Sequence, residues 1–134
     1  MNITKYVDYF HDGGLIDIKH VSNRIELFLI SAEIDPDDFE EYITLDKNNS
    51  IAGILHLEQI KNILRNDIIL NGNLKMEYQS GRILNLEIKI GIIEIVVEWS
   101  NWKPKELYID CSKITIKADN IYWENKPDLV DPYW

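Results

Sequence analysis

The sequence has 134 residues, of which 46% are hydrophobic and 28% are charged, and its formal net charge is −9. This length predicts one domain, residues 1–134, with a core that needs no disulfide or metal, and this composition excludes wholesale disorder. The 23 Ile residues against 3 Ala favour strands over helices, because Ile is stiff at its branched Cβ whereas Ala is the best helix former.

The negative charge is concentrated in one segment. Residues 33–46 hold seven acids and no base, which leaves 16 acids and 14 bases in the rest of the chain. Such a near-neutral body lacks the excess of Lys and Arg that binding to nucleic acid or to an anionic membrane requires. We therefore expect neither of these as a partner, whereas a basic protein is compatible with the acidic segment.

The sequence contains no sign of export or of a membrane span. The single Cys111 allows no internal disulfide, and the first residues, MNITKYVDYFHD, carry charges where an export signal needs an apolar run. The apolar stretch IGIIEIVVEW is interrupted by Glu94 and Glu98, well short of the roughly 20 residues of a membrane helix. These features predict a soluble, cytoplasmic protein.

The N-terminal residues predict a short helix followed by a hairpin. Apolar residues recur at helical spacing at Ile3, Tyr6, Val7 and Phe10, and the stripe ends at residues 11–14, HDGG. The runs LIDIKH and RIELFLIS then flank Ser22 and Asn23. A two-residue loop there pairs Ile18 with Leu27, Ile16 with Leu29 and Lys19 with Glu26.

The acidic segment, AEIDPDDFEEYITLD, predicts a short helix near residues 36–42. Asp35 suits the cap, Pro36 the first helical position, and Asp37 and Asp38 the first turn, where the helix dipole favours negative charge. Phe39, Tyr42 and Ile43 are then its buried side. Capping leaves Glu40 and Glu41 unexplained, so a docking surface for a basic partner is the alternative. The spacing lacks the Gly and the final Glu of an EF-hand loop, which disfavours calcium there and leaves only a β-sandwich site that gathers Asp12 or Asp131 from other loops.

The middle of the chain favours a strand over a helix. Residues 51–58 alternate in a way that suits an antiparallel edge strand, and Asn-rich turns at 46–50 and 71–73 bound the region. The run LEQIKNIL is compatible with either structure, because periodicity does not distinguish helix from strand in short apolar runs.

Residues 74–99 predict a three-stranded meander. A loop at Gly91 and Ile92 places Lys89 opposite Glu94 and stacks three apolar pairs, whereas a loop at Ile90 and Gly91 opposes Glu87 to Glu94. We therefore expect the first register. A second loop at residues 80–82 carries the pattern back to a strand that contains Leu74, Met76 and Tyr78 and pairs Lys75 with Glu87.

The remaining segments, LYIDC and ITIKADNIYWE, predict two more strands, with a bulge at Asp119 and Asn120 that restores the alternation. The end of the chain, NKPDLVDPYW, is either a strap held by Trp134 or a loose tail. The predicted fold is mainly β: an antiparallel meander that forms a sandwich or a partly open barrel. An exposed strand edge could also pair two copies into a homodimer.

No catalytic motif is present: the sequence lacks GxSxG, a Walker loop, HExxH and CxxC. His11 lies beside Asp8 and Asp12, a pairing that acid-base chemistry uses, but a turn after a helix collects such residues by default. His20 and His56 fall on the polar side of strands, where an exposed histidine is the simpler interpretation than a metal ligand. We expect no catalytic residue, no metal and no cofactor.

Aromatic residues cluster in the last third of the chain. Most belong to the predicted core, but Trp and Tyr on both faces of the last strands leave some exposed or covered by the tail. Exposed tryptophans anchor protein partners and stack on sugars. Trp102, Trp123 and Trp134 are the candidates.

This small, acidic, Ile- and Asn-rich chain, with its segment AEIDPDDFEEY, resembles immunity-type proteins encoded beside bacterial polymorphic toxins, and families of uncharacterised bacterial domains share its appearance. The resemblance implies a non-enzymatic inhibitor that binds a basic effector through acidic residues. The predicted partner-binding residues are Asp35, Asp37, Asp38, Glu40, Glu41, Trp102, Trp123 and Trp134. The alternatives are a small-ligand or carbohydrate-binding β-sandwich, and an enzyme that uses His11 in a pocket.

Overall fold

The computed structural model describes residues 2–39, 43–101 and 107–131, with the backbone alone for residues 107–109. Within these residues the strands are β1 (Gly14–Val21), β2 (Arg24–Ile30), β3 (Ala52–Arg65), β4 (Ile68–Ile69), β5 (Ser80–Lys89), β6 (Ile92–Asn101) and β7 (Leu107–Asn125). Two 3₁₀ helices span Ile3–Phe10 and Pro36–Asp38. The predicted mainly β fold is confirmed.

The strands form a closed barrel. Their order in the sheet is β2-β1-β5-β6-β7-β3-β4, and β2 also pairs with β3, so that six strands close and β4 lies outside the ring. All pairings between described strands are antiparallel. Of the predicted architectures, the structure therefore has the barrel and not the sandwich.

The barrel interior is filled by branched apolar side chains. On β6, Ile93, Ile95, Val97 and Trp99 are fully buried and alternate with partly exposed residues, as expected for a strand with one face in the core. The buried Trp99 indole donates a hydrogen bond from Nε1 to the Ser112 hydroxyl (3.0 Å), so its polar atom is satisfied. A small barrel of this kind is a packed core and not a pore.

Both ends of the barrel are covered. The Asn2 side chain caps the N-terminal 3₁₀ helix by accepting from the Thr4 amide, and Phe10 at its end is buried edge-on against Trp123. The predicted helix is confirmed in place, although it is 3₁₀ and not α. At the opposite end of β1, the buried Leu74 donates its amide to His20 Nδ1 (2.9 Å).

The predicted β1–β2 hairpin is confirmed except at one residue. Ile18 faces Leu27 and Lys19 faces Glu26, but the expected partner of Leu29 is wrong. Leu15 takes that place, because a bulge at Ile16 inserts an extra residue between Leu15 and Asp17. A bulge of this kind adds twist and bends its strand.

The predicted β5–β6 register is wrong. Lys89 pairs with Ile92, so the loop is Ile90-Gly91 and Glu87 faces Glu94. Gly91 adopts φ +74, which costs little without a Cβ. The two like charges are tolerated because they lie on the outer face, where water screens them, and Lys89 Nζ is 3.9 Å from Glu87.

Residues 74–79 form no strand, which corrects the predicted first strand of the meander. Glu77 instead forms an ion pair with Arg65 on β3, and the Gln79 amide donates to the Asn101 side chain on β6 (3.0 Å). Through these contacts, residues 74–79 leave the path that a strand paired with β5 would take. The meander consists of β5, β6 and β7.

The strand prediction for the middle of the chain is confirmed, but β3 is not an edge strand. It pairs with β2 on one side and β7 on the other. The two predicted C-terminal strands are one strand, β7, and the expected bulge at Asp119 and Asn120 lies instead on β3 at Lys61, between Ile60 and Asn62.

After β7 the chain folds back as a strap. The Lys126 amide donates to the Ala52 carbonyl (2.7 Å), and the Leu129 amide donates to the Lys126 carbonyl (3.0 Å). Whether Trp134 holds this strap lies outside the described residues. In the part of the chain that the structure describes, no helix has the length and apolar character needed to cross a membrane.

The closeness of β3 and β7 at Gly53 yields a stability prediction. A Cβ at Gly53 would lie 2.2 Å from the Glu124 carbonyl oxygen and 2.7 Å from the Trp123 ring. Gly53→Ala should therefore lower the free energy of unfolding by about 2–4 kcal/mol in urea denaturation. Gly14→Ala is the control, since its Cβ meets nothing closer than 3.6 Å. Equal midpoints for the two variants would contradict this packing.

Candidate functional site

The acidic segment begins with the predicted cap. The Asp35 side chain accepts a hydrogen bond from the Asp37 amide (3.0 Å), and Pro36 occupies the first helical position. The 3₁₀ helix is shorter than predicted: it ends at Asp38, and Phe39 is already extended. The rest of the predicted helix, residues 40–42, lies outside the described residues.

Asp46 does not belong to the same surface as the other acids. It is buried, at 9% exposure, and its Oδ1 accepts hydrogen bonds from the amides of Asn48 and Ser50 (2.9 Å each). It therefore shapes the turn before β3. The seven carboxylates of residues 33–46 are thus not one patch.

Four acids of the segment do lie together and exposed: Glu33, Asp35, Asp37 and Asp38, here called the acidic turn. All the ion pairs between described residues lie elsewhere, where Arg24, Lys61, Arg65, Arg82, Lys89 and Lys113 pair with acids on the strands and turns of the barrel. Within the described residues, the acidic turn therefore keeps its charge unneutralised.

An aromatic cluster supports the acidic turn at the end of the barrel. The Phe39 ring lies 5.5 Å from the Tyr6 ring and 6.0 Å from the Tyr9 ring. The Ile34 amide, within the turn, donates to the Asn49 carbonyl (2.8 Å). Tyr9 is 36% exposed, so an aromatic surface lies close to the charges.

The predicted tryptophan anchors are accounted for only in part. Trp123 is partly buried, packs against Phe10 (5.7 Å between ring centroids) and donates from Nε1 to the Asn125 side chain (3.4 Å). Part of its ring therefore packs against the core. The other predicted site residues, Trp102, Trp134, Glu40 and Glu41, lie outside the described residues.

His11 does not lie in a pocket. Its side chain is 63% exposed, its Nδ1–H donates to the Leu84 carbonyl (2.6 Å), and the neighbouring Asp12 carboxylate binds Arg82. The enclosed histidine that the enzyme hypothesis required is therefore not found at this position.

His56 corrects the expectation of an exposed strand histidine. It is 8% exposed, and its ring stacks on Tyr122 at 4.7 Å with an interplanar angle of 7°. Its Nε2–H donates to Glu124 (2.8 Å). No local pattern in the sequence predicts this arrangement, because it depends on the long-range alignment of β3 with β7.

Glu58 is the centre of the same outer face. Its carboxylate accepts from Asn120 Nδ2 (2.9 Å) and the Tyr122 hydroxyl (3.1 Å), and Arg24 lies 3.3 Å away. The Asn120 hydrogen bond is the main reason that the pKa of Glu58 lies below its ordinary value. Desolvation, followed by the hydrogen bond to Glu58, raises the pKa of Tyr122. We call Arg24, His56, Glu58, Asn120, Tyr122 and Glu124 the polar ladder.

A cleft of about 470 Å³ opens at a third place, beside β1. It is lined by Ile16, Asp17, Phe28, Met76, Tyr78, Gln79, Leu129 and Val130. Thus β1, β2, the segment before β5 and the C-terminal strap all contribute to its walls.

No arrangement for a metal ion is found among residues 2–39, 43–101 and 107–131, where His, Cys, Asp and Glu side chains nowhere gather in threes around a common point. No protein family, no curated protein and no solved structure matches this chain. Function is therefore inferred from the acidic turn, the polar ladder and the cleft.

The lowered pKa of Glu58 predicts a pH dependence of stability. A carboxylate whose pKa falls on folding stabilises the fold above its ordinary pKa, here 4.5, and the stabilisation is lost as the pH falls through the folded-state value. The stability advantage of the native chain over Glu58→Gln should thus shrink as the pH is lowered from 6 towards 3. Urea midpoints at each pH measure it.

Glu87→Gln on β5 serves as the control for loss of an exposed strand carboxylate. An advantage over Glu58→Gln that stays constant down to the lowest pH would mean that the hydrogen bonds of the polar ladder do not stabilise the charged form of Glu58.

Proposed function

We propose that this protein is a non-enzymatic protein-binding module that docks a basic partner through the acidic turn. The observation that carries the proposal is the lack of neutralisation: Glu33, Asp35, Asp37 and Asp38 are exposed, while the ion pairs of the described residues lie elsewhere. Unpaired charges on one end of a domain focus its negative potential and attract a basic protein.

The neighbouring aromatic surface supports the same proposal. Exposed charges at the rim of an interface mainly increase the rate of association, whereas aromatic side chains in its centre provide most of the affinity. Tyr9 is exposed beside Phe39, close enough to the acidic turn for one partner to contact both. Glu40 and Glu41 continue the acidic run in the sequence and belong to the same proposed surface.

The biological setting of the proposal is an immunity or inhibitor protein that acts on a basic effector in the cytoplasm of a bacterium. This setting follows from the resemblance of the acidic segment to immunity-type proteins and from the charge of the surface. In it, the module acts by covering a basic surface of the effector and needs no chemistry of its own.

The test is affinity capture at low salt from a lysate of the native host, with the triple variant Glu33→Gln/Asp37→Asn/Asp38→Asn beside the native chain. We expect the native chain to enrich a basic protein and the variant to recover at least about tenfold less of it, because association of charged surfaces depends on complementary potential. Calorimetry with the purified partner at two salt concentrations then measures the loss.

The matched control removes the same number of charges elsewhere, in Glu87→Gln/Glu94→Gln/Asp128→Asn. It should recover as much partner as the native chain does. If the two triple variants lose the partner equally, total charge and not the acidic turn governs binding, and if neither loses it the proposal is wrong.

The polar ladder favours a second candidate, a small-ligand or carbohydrate site. Tyr122 is 39% exposed, its ring is held flat by His56, and the amide of Asn120 and the carboxylates of Glu58 and Glu124 surround it. An exposed aromatic ring bordered by hydrogen-bonding groups is a common arrangement for stacking on a sugar.

For this candidate, we expect mono- and disaccharides from a glycan panel to shift the amide resonances of residues 120–124 in ¹⁵N-labelled protein. Tyr122→Ala should remove the shifts, because it deletes the stacking surface, and Tyr9→Ala should keep them. An absence of shifts across the panel, or shifts that survive Tyr122→Ala, would exclude the ladder as a sugar site.

A further inference from the structure

The β1–β2 hairpin is paired unevenly with its two neighbouring strands. β2 and β3 pair along seven residues, from Arg24–Glu58 to Ile30–Ala52. β1 and β5 pair at only two positions, Gly14–Arg82 and Leu15–Gly81, and two backbone hydrogen bonds between residues 12–13 and Ile83 (2.8 Å each) reinforce the start of this junction. Among the described residues, the hairpin is therefore paired along the whole of β2 but only at the start of β1.

The bulge at Ile16 lies where the β1–β5 pairing ends. Beyond it β1 continues to Val21, but the chain that would face it, residues 74–79, is irregular. No backbone hydrogen bond between described residues joins 17–21 to 74–79. Five residues of β1, Asp17–Val21, thus present an edge without a strand partner.

The direction of the backbone groups on this edge follows from the hairpin. Val21 and Arg24 flank a two-residue loop, so the backbone groups of Val21 and Lys19 exchange hydrogen bonds with β2. The backbone N–H and C=O groups of the alternate residues, Ile18 and His20, therefore point away from β2. The Ile18 amide is covered by the Asp17 carboxylate (2.8 Å), and the His20 carbonyl by Asn73 Nδ2 (3.3 Å). These side chains occupy positions that a neighbouring strand would take.

The 470 Å³ cleft includes Ile16 and Asp17, at the start of this edge. Phe28 of β2, Met76 and Tyr78 of the segment before β5, and Leu129 and Val130 of the strap also line it. The cleft thus places apolar side chains beside the start of the unpaired edge. Backbone groups and apolar contacts are the two features that a strand added to a sheet edge uses.

We propose that the Asp17–Val21 edge binds an extended peptide segment of another protein, which enters the open junction between β1 and residues 74–79 as an added strand. Apolar side chains at alternate positions of the peptide enter the cleft. A Lys or Arg of the peptide pairs with the Asp17 carboxylate, which the peptide displaces from the Ile18 amide.

The edge and the acidic turn are separate surfaces, because none of residues 33–38 lines the cleft. The length of the edge sets the length of the segment. The five strand residues of the edge rise roughly 3.4 Å each, so a peptide of about five or six residues pairs along its whole length.

The experiment titrates the full-length ¹⁵N-labelled protein with an acetylated and amidated hexapeptide of alternating Lys and Val. We expect shifts at the amides of Ile18 and His20 and slower hydrogen exchange of the His20 amide on binding. The same peptide with every second amide nitrogen methylated should not bind when the methyl groups face β1, because it then lacks the donors that pair with the edge.

Two variants test the site. Asp17→Asn keeps the hydrogen-bond acceptor and removes the charge. It should therefore weaken the affinity for the Lys-Val peptide about two- to fivefold and leave the affinity for a Thr-Val peptide unchanged. Met76→Trp should fill the cleft and abolish binding of both peptides. Ile90→Trp, at the fully exposed tip of the β5–β6 hairpin, is the control for adding a tryptophan, and thermal melts confirm that each variant folds.

Three outcomes would overturn the inference. The first is the absence of binding by the Lys-Val peptide at millimolar concentration. The second is binding that survives both methylation patterns or produces shifts away from β1. The third is concentration-dependent dimerisation by light scattering that Met76→Trp abolishes, since the edge would then serve a second copy of this chain.

Discussion

The pairing of β2 with β3 is the constraint on which the rest of the structure depends. It joins two strands separated by residues 31–51 along seven consecutive residues, and it turns an open seven-stranded sheet into a barrel. On β3, which has neighbours on both sides, the outer residues Ala52, Ile54 and His56 are buried as well as the inner ones. The cost of closing so long a loop is recovered by this burial on both faces.

The acidic turn and the polar ladder both follow from the pairing of β2 with β3. It brings Arg24, Glu58 and Asn120 into one row across β2, β3 and β7, which creates the polar ladder. It also returns residues 31–51 to the end of the barrel that the N-terminal helix covers, where the Ala32 amide donates to the Tyr9 carbonyl (2.9 Å). The acidic turn is thus displayed on a rigid support and not on a free loop, which reduces the entropy lost when a partner binds.

The weak junction between β1 and β5 has the opposite consequence. Backbone hydrogen bonds hold its start, between residues 12–13 and Ile83, but its strand pairing ends at Leu15, and the segment that could extend it is bound to Arg65 and Asn101. Regions with few backbone hydrogen bonds open locally at low free-energy cost. The β2–β3 pairing can therefore hold the core together while the Asp17–Val21 edge stays available to a peptide.

Local patterns in the sequence predicted the features that depend on residues close together in the chain. The apolar spacing of Ile3, Tyr6 and Phe10 gave the N-terminal helix, Asp35 and Pro36 gave the cap, and Ser22-Asn23 gave the first hairpin. The acidic cluster was predictable only in part, because nothing in its sequence separates the exposed Asp37 from the buried Asp46.

Features that depend on long-range packing were not predictable. The predicted β5–β6 register avoids opposing Glu87 to Glu94, but both registers place Ile93 and Ile95 on the core face, so burial does not distinguish them, and exposed like charges cost too little to decide between them. The central position of β3 depends on its pairing with β2, the burial of His56 on the alignment of β3 with β7, and the short β1–β5 pairing on the bulge at Ile16. No run of residues along the chain encodes these long-range contacts by itself.

Native-state hydrogen exchange of two adjacent amides tests the unequal closure most directly. Lys19 donates towards β2, whereas the His20 amide faces the unpaired edge. After correction for intrinsic rates, the Lys19 amide should be protected on the order of 100-fold more than the His20 amide. Equal, strong protection of both amides would mean that β1 is paired on both sides and that the barrel has no open junction.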